Sequence, residues 1–147
     1  MENLLANIDM IRELNMLGGA LNADMKIPMI ATQDIAKFAA ERLSQKDYSG
    51  LVVKDLLGPR NLSMNEAAVI LGKKTGRPEL KYAQFSYEGT RNSLHSMGFS
   101  DDAAGLFIEM IRAFNEGLIK AERTPENTKA TPFEEFAATF AKILSRQ

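Results

Sequence analysis

His95 is the single histidine of the chain, and cysteine is absent. A general base or an activated nucleophile needs a second group to orient it. His95 shares its stretch with Leu94 and Met97, just ahead of Gly98, with no such partner at a fixed spacing. It reads as a partly buried surface residue rather than a base. Asp101 and Asp102 hint at a metal, but with one histidine and no convergent carboxylates they fit the start of a helix better. Gly18-Gly19 is the nearest approach to a phosphate cradle. Such a turn needs a third glycine and a strand-turn-helix setting, so that the backbone can reach a pyrophosphate. Neither is present, and the residues themselves nominate no catalytic group and no metal ligand.

Bulk properties narrow the classes further. The chain has 147 residues, 45% apolar and 25% charged, values of a folded domain with a core of its own. One domain over 1–147 is expected. Eighteen basic and nineteen acidic residues leave a net charge of −1. The densest basic cluster, Lys73-Lys74 with Arg77, suits a helix C-terminus. A nucleic-acid partner requires a basic footprint, so a helix-turn-helix reading of 63–97 fails on charge. No apolar run nears the roughly eighteen residues of a membrane span. Glu2, Asp9, Arg12 and Glu13 break up any signal-peptide core. A cytoplasmic protein, with neither nucleic-acid nor membrane partner, is the expectation.

The periodicities predict a helix-rich chain. Leu4, Leu5, Ile8, Ile11 and Leu14 mark a helix over 2–14, ended by Gly18-Gly19. Lys26 to Ile30, with Pro28 inside, suits an edge strand or an extended link. Thr32 can cap a helix whose apolar face is Ile35, Phe38, Ala39 and Leu43. The run from Leu51 to Leu57 reads as a strand covered on both faces. Ser63-Met64-Asn65-Glu66 is a capping box, and Gly76 with Pro78 ends the helix it opens. Leu80 to Phe85 is a second strand, and 86–97 a helix closed by Gly98. Ser100 opens an amphipathic helix with a stripe of Ala103, Leu106, Phe107, Met110, Ile111, Phe114 and Leu118. The polar stretch from Arg123 to Lys129 reads as a mobile loop. Thr131-Pro132-Phe133-Glu134 combines a capping box with proline at the first helical position. The last helix aligns Phe133, Phe136, Ala137, Phe140, Ile143 and Leu144, and its stripe should pair with that of the helix before it. The aromatic residues read as core, with a small apolar ligand as the alternative for their stripe. The eight methionines read as core filler.

Four segments in order carry a family resemblance. These are Ile27-Pro28-Met29-Ile30-Ala31-Thr32-Gln33-Asp34-Ile35-Ala36, Leu57-Gly58-Pro59-Arg60, Ser63-Met64-Asn65-Glu66-Ala67-Ala68, and Thr131-Pro132 with Glu135-Phe136. Together they resemble the C-terminal portion of an NmrA-like protein, an atypical short-chain dehydrogenase/reductase. The resemblance implies an α+β, helix-rich fold: the smaller substrate lobe, about six helices with two or three short strands. In that family the lobe shapes the substrate cleft beside a Rossmann half that binds NAD(P). Met1-Glu2-Asn3-Leu4-Leu5 resembles the segment that passes close to the nicotinamide, which implies a vestigial cofactor role for Glu2 and Asn3. An acid in the first turn of a helix accounts for Glu2 equally well.

The Rossmann half has no counterpart in these residues, so the expectation is a truncated or split protein. It would be a substrate-lobe remnant of an oxidoreductase or nucleotide sensor, with no cofactor and no catalysis of its own. The alternative is a free-standing interaction or small-molecule-binding module. The expected partner is a Rossmann half in trans or a second copy, giving a homodimer through 51–57 or the first helix.

Overall fold

The computed structural model describes residues 1–46 and 49–146. Its first apolar helix is divided: a 3-10 turn, Glu2–Asn7, passes into α1, Ile8–Leu14. Asn15 ends α1 at φ 53°, a left-handed conformation that asparagine tolerates. Strand β1, Met16–Gly19, follows at once. The glycine pair therefore lies within a strand rather than merely ending a helix. It was illegible because four residues, two of them glycine, offer no alternation to read. β1 pairs in parallel with β4, Lys81–Gln84, in the register Met16↔Lys81 to Gly19↔Gln84. Gly18 is required there, since a Cβ would stand 2.4 Å from the Phe85 ring and 2.7 Å from the Met10 sulfur. A second pair, β2 (Ile27–Pro28) and β3 (Asn61–Leu62), is antiparallel, with the proline on a two-stranded edge as expected.

Residues 51–56 form no strand. Leu51 and Val53 are 93% and 80% exposed, and only Leu57 makes a bridge, to Thr128. Apolar β-branched composition favours a strand, but a strand needs a neighbour to complete its hydrogen bonds. Leu57 has one: its N–H donates to the Asn127 carbonyl (2.9 Å) and its carbonyl accepts from the Lys129 N–H (2.7 Å). The polar stretch 123–129, expected as a mobile loop, is thereby hydrogen-bonded to Leu57. The Arg123 guanidinium donates to the Gly58 carbonyl (3.2 Å) and to Asn61 Oδ1 (2.6 Å), binding that stretch to the Gly58-Pro59 turn.

The core lies between α3 (Met64–Thr75) and α6 (Phe133–Leu144). Ser63 and Glu66 form the expected reciprocal capping box, and Gly76 closes α3 at φ 70°. Ala67 and Leu71 meet Phe133, Phe136, Ala137 and Phe140 in one buried cluster, which also takes in Ile11 and Leu17. The rings of Phe136 lie 5.6 Å from Phe133 and 5.9 Å from Phe140, tilted and edge-on. Met29 and Met64 join this core, whereas Met97 and Met110 are exposed.

Helix α5 (Asp101–Asn115) departs from expectation twice. It packs on α4 (Tyr87–Ser96) rather than on α6, and it buries Ala104, Ile108 and Ile111. Leu106, Phe107, Met110 and Leu118 of the expected stripe are exposed. The helix is apolar on two sides, and the side bearing the small Ala104 allows α4 a closer approach. Helix α2 (Thr32–Gln45) likewise leaves Ile35 and Leu43 in solvent; its one buried residue is Asp34. Among the described residues, six α-helices with four short strands make a helix-rich α+β fold.

Removing a buried phenylalanine ring costs about 3–5 kcal/mol. Phe136→Ala is expected to lower the melting temperature steeply. Lys129 keeps its backbone bonds when truncated and loses an ammonium that lies 4.9 Å over the Phe38 ring and donates an exposed bond to the Glu126 carbonyl (3.3 Å), together worth about 1 kcal/mol. Lys129→Ala should hardly shift the melt; equal shifts by circular dichroism would place the core elsewhere.

Candidate functional site

Polar groups converge at the seam where the 3-10 turn, the start of α2 and the start of α6 meet. The Glu2 carboxylate accepts from the Thr32 N–H at 3.0 Å and so caps α2, a role the sequence assigned to the Thr32 side chain. Two residues on, both Asp34 oxygens are engaged by Thr131: one accepts from its N–H (3.1 Å), the other from its hydroxyl (2.9 Å). The Thr131 hydroxyl accepts in turn from Gln33 Nε2 at 3.0 Å. Asp34 and Thr131 are both buried. Thr131 is therefore not the cap of α6. Pro132 holds that position, one residue later than expected, and no side chain caps it.

Burial pushes the Glu2 carboxyl up, but hydrogen bonds from Thr32 and from its own backbone more than offset this and hold it below the ordinary carboxylate range. Asn3 is exposed and takes no part in the seam. Two shallow cavities flank these groups, each of about 100 Å³. One is lined by Met29, Pro59, Leu62 and Phe133, the other by Glu2, Gln33, Thr131 and Glu135. Both fall below the roughly 300–1,000 Å³ of a typical ligand pocket.

The helix starts of this chain offer few free donors to a dinucleotide. Its phosphates would need free N–H groups at a helix start. Protein side-chain oxygens already accept from the first turns of α2 (Glu2), α3 (Ser63), α4 (Ser86) and α5 (Ser100). Glu2 and Glu135 on the polar cavity would also repel an anion. Of the two residues with an expected vestigial cofactor role, Glu2 caps α2 and Asn3 faces solvent.

His95 does have an orienting partner, which the sequence reading missed. Its Nε2 lies 3.0 Å from Asp101 Oδ1 and its Nδ1 3.1 Å from the Phe99 carbonyl, closing the turn between α4 and α5. The signal was the spacing across the Gly98 turn, which folds 95 back onto 101. The pair thereby holds the turn. Tyr82 is a second polar anchor: its hydroxyl donates to the Leu21 carbonyl at 2.9 Å, and burial pushes it up to about 12.

No protein-family model and no curated protein matches the chain. Solved structures do. An NADPH-dependent quinone oxidoreductase of a new type (QOR2) from Escherichia coli superimposes with a TM-score of 0.72 at 25% identity, over 94% of this chain and 50% of that one. The same enzyme complexed with NADPH gives 0.72 and 25%, over 94% and 49%. A triphenylmethane reductase from Citrobacter sp. shares the fold, with a TM-score of 0.64 at 19% identity over 96% and 48%. The chain spans about half the length of each. Both reductases are NmrA-like family members, and the resemblance read from the sequence stands: the chain has the fold of about half of each. None of its helices is long and apolar enough to cross a membrane, among the described residues.

The seam gives a pH-dependent prediction. A carboxyl held below its unfolded value stabilises the fold above that value, and the contribution fades as pH falls through the folded one. Glu2→Gln should lower the melting temperature at pH 7 and have progressively less effect as pH falls below the ordinary carboxylate range near 4.5. A difference that stays constant from pH 7 to pH 3 would remove the charge from the explanation. Thr131→Val, which strips a donor from a buried carboxylate, should cost about 1–3 kcal/mol in denaturant melts.

Proposed function

We propose that this chain is the cleft-shaping lobe of an NAD(P)-dependent oxidoreductase, or of a nucleotide sensor built on the same fold, and that it is not catalytic by itself. One observation carries the reading: the likeness covers 94% of this chain but only half of an NADPH-dependent reductase. The surface supports it. Leu51, Val52 and Val53 are exposed, as are Ile35 and Leu43 of α2, and a neighbouring nucleotide-binding half, in the same chain or in trans, would cover such residues. The capped helix starts fit a lobe that leaves the phosphates to that half. A small apolar substrate would lie between the two, since the cavities of this chain are too small to enclose one. A cysteine-free chain with no basic footprint suits a cytoplasmic setting.

Titration of the 147-residue chain with NADPH, followed by calorimetry or nicotinamide fluorescence, tests the reading. No saturable binding is expected at micromolar concentrations. A one-to-one isotherm in that range would show that the lobe holds the cofactor unaided.

A further inference from the structure

The α4–α5 hairpin bears an apolar surface that no element of the described chain covers. Phe99, Leu106, Phe107 and Met110 are 39%, 60%, 42% and 43% exposed, and Met97, on the same turn as Phe99, is 65% exposed. Leu106, Phe107 and Met110 lie round the helix from Ala104, Ile108 and Ile111, which face inward. A helix apolar on two sides needs cover on both. The positions along this outer side, Ala103, Leu106, Phe107, Met110 and Ala113, include no charged residue.

We propose that a second copy of this chain covers the surface, α5 crossing α5 about a two-fold axis. Size is the first argument. A large apolar side chain presents roughly 200 Å². Five of them, about half exposed, give roughly 500 Å² per copy and about 1,000 Å² over two copies, the lower bound for a specific interface. Shape is the second. The patch sits mid-helix, so a two-fold axis through it lays the same residues on themselves. Its centre is preorganised, because the rings of Phe99 and Phe107 meet edge-on with centroids 6.3 Å apart. The flexible Met97 and Met110 can adjust around that pair. Charge offers little opposition, with a net of −1 per copy. The interface expected from the sequence, at 51–57 or the first helix, is thereby moved. Leu4 and Ile11 of that helix already serve the chain's own core.

Light scattering and site-specific cross-linking test this directly. At tens of micromolar the mass should be twice the 16.3 kDa of the chain. Leu106→Glu with Phe107→Glu should weaken the dimer at least tenfold while the far-ultraviolet dichroism stays unchanged. The chain has no cysteine, so Leu106→Cys, Phe107→Cys and Met110→Cys can be made singly in a clean background. Mild oxidation should link at least one of them into a disulfide dimer, and Val53→Cys should stay unlinked. The cross-links decide the matter even if the double glutamate variant fails to fold. A monomer at tens of micromolar overturns the proposal, as does a dimer that links through Val53→Cys and through none of the three. The NADPH titration reads a different property, so the dimer and the cleft-lobe reading stand or fall separately.

Discussion

Asp34 binds α2 to the rest of the molecule, and the arrangement of the seam depends on it. Its carboxylate is buried, and a buried charge is tolerated only when its oxygens are well supplied with donors. Thr131 supplies two, through its N–H and its hydroxyl. That fixes the residue before Pro132, and thereby the entry angle of α6. α6 in turn delivers Phe133, Phe136 and Phe140 to α3. Gln33 and Glu2 complete the arrangement from either side, one donating to Thr131 and the other capping α2. A helix that buries one residue out of fourteen would otherwise have little reason to dock. It docks by its polar N-terminus and leaves its apolar face outward.

This attachment explains which parts of the fold were legible. Features decided within a few residues came through: the Ser63–Glu66 box, the left-handed Gly76, the stripe of α6, the edge position of Pro28. In each, local hydrogen bonding or a single clear periodicity settles the conformation. Features decided by remote partners did not. Thr131 looks like a cap because threonine before Pro-Phe-Glu satisfies the pattern, yet a carboxylate 97 residues away claims its hydroxyl. The stripe of α5 was read on the wrong side, because periodicity shows that a helix is amphipathic but cannot rank two apolar sides. The seam itself was half visible. Glu2 was singled out, but as a cofactor residue, and its partner Thr32 is thirty positions away.

The same distinction between local and remote applies to 51–57. An apolar, β-branched run signals a strand correctly as a preference. Whether it becomes one depends on a ladder partner. Here Leu57 finds one in the 123–129 stretch and residues 51–56 do not. The turn that follows is close-packed: a Cβ on Gly58 would stand 1.9 Å from the Met29 carbonyl oxygen. The rigid end of the segment is thus built into the core, and its apolar remainder projects from there.

Polar and apolar groups are left in opposite conditions by this chain. Buried side-chain polar atoms are almost all paired; among the described residues only Asn15 Oδ1 and Thr90 Oγ1 lack a partner. Several helix starts carry protein caps, and the carboxylates of the seam have donors. By contrast, 51–53, the outer face of α2 and the outer side of α5 remain in water. Burial of such area is non-directional and scales with area, so these surfaces favour whatever body can cover them without demanding specific hydrogen bonds. A lobe with most of its buried polar atoms paired and its hydrophobic faces open is suited to docking against other folded surfaces.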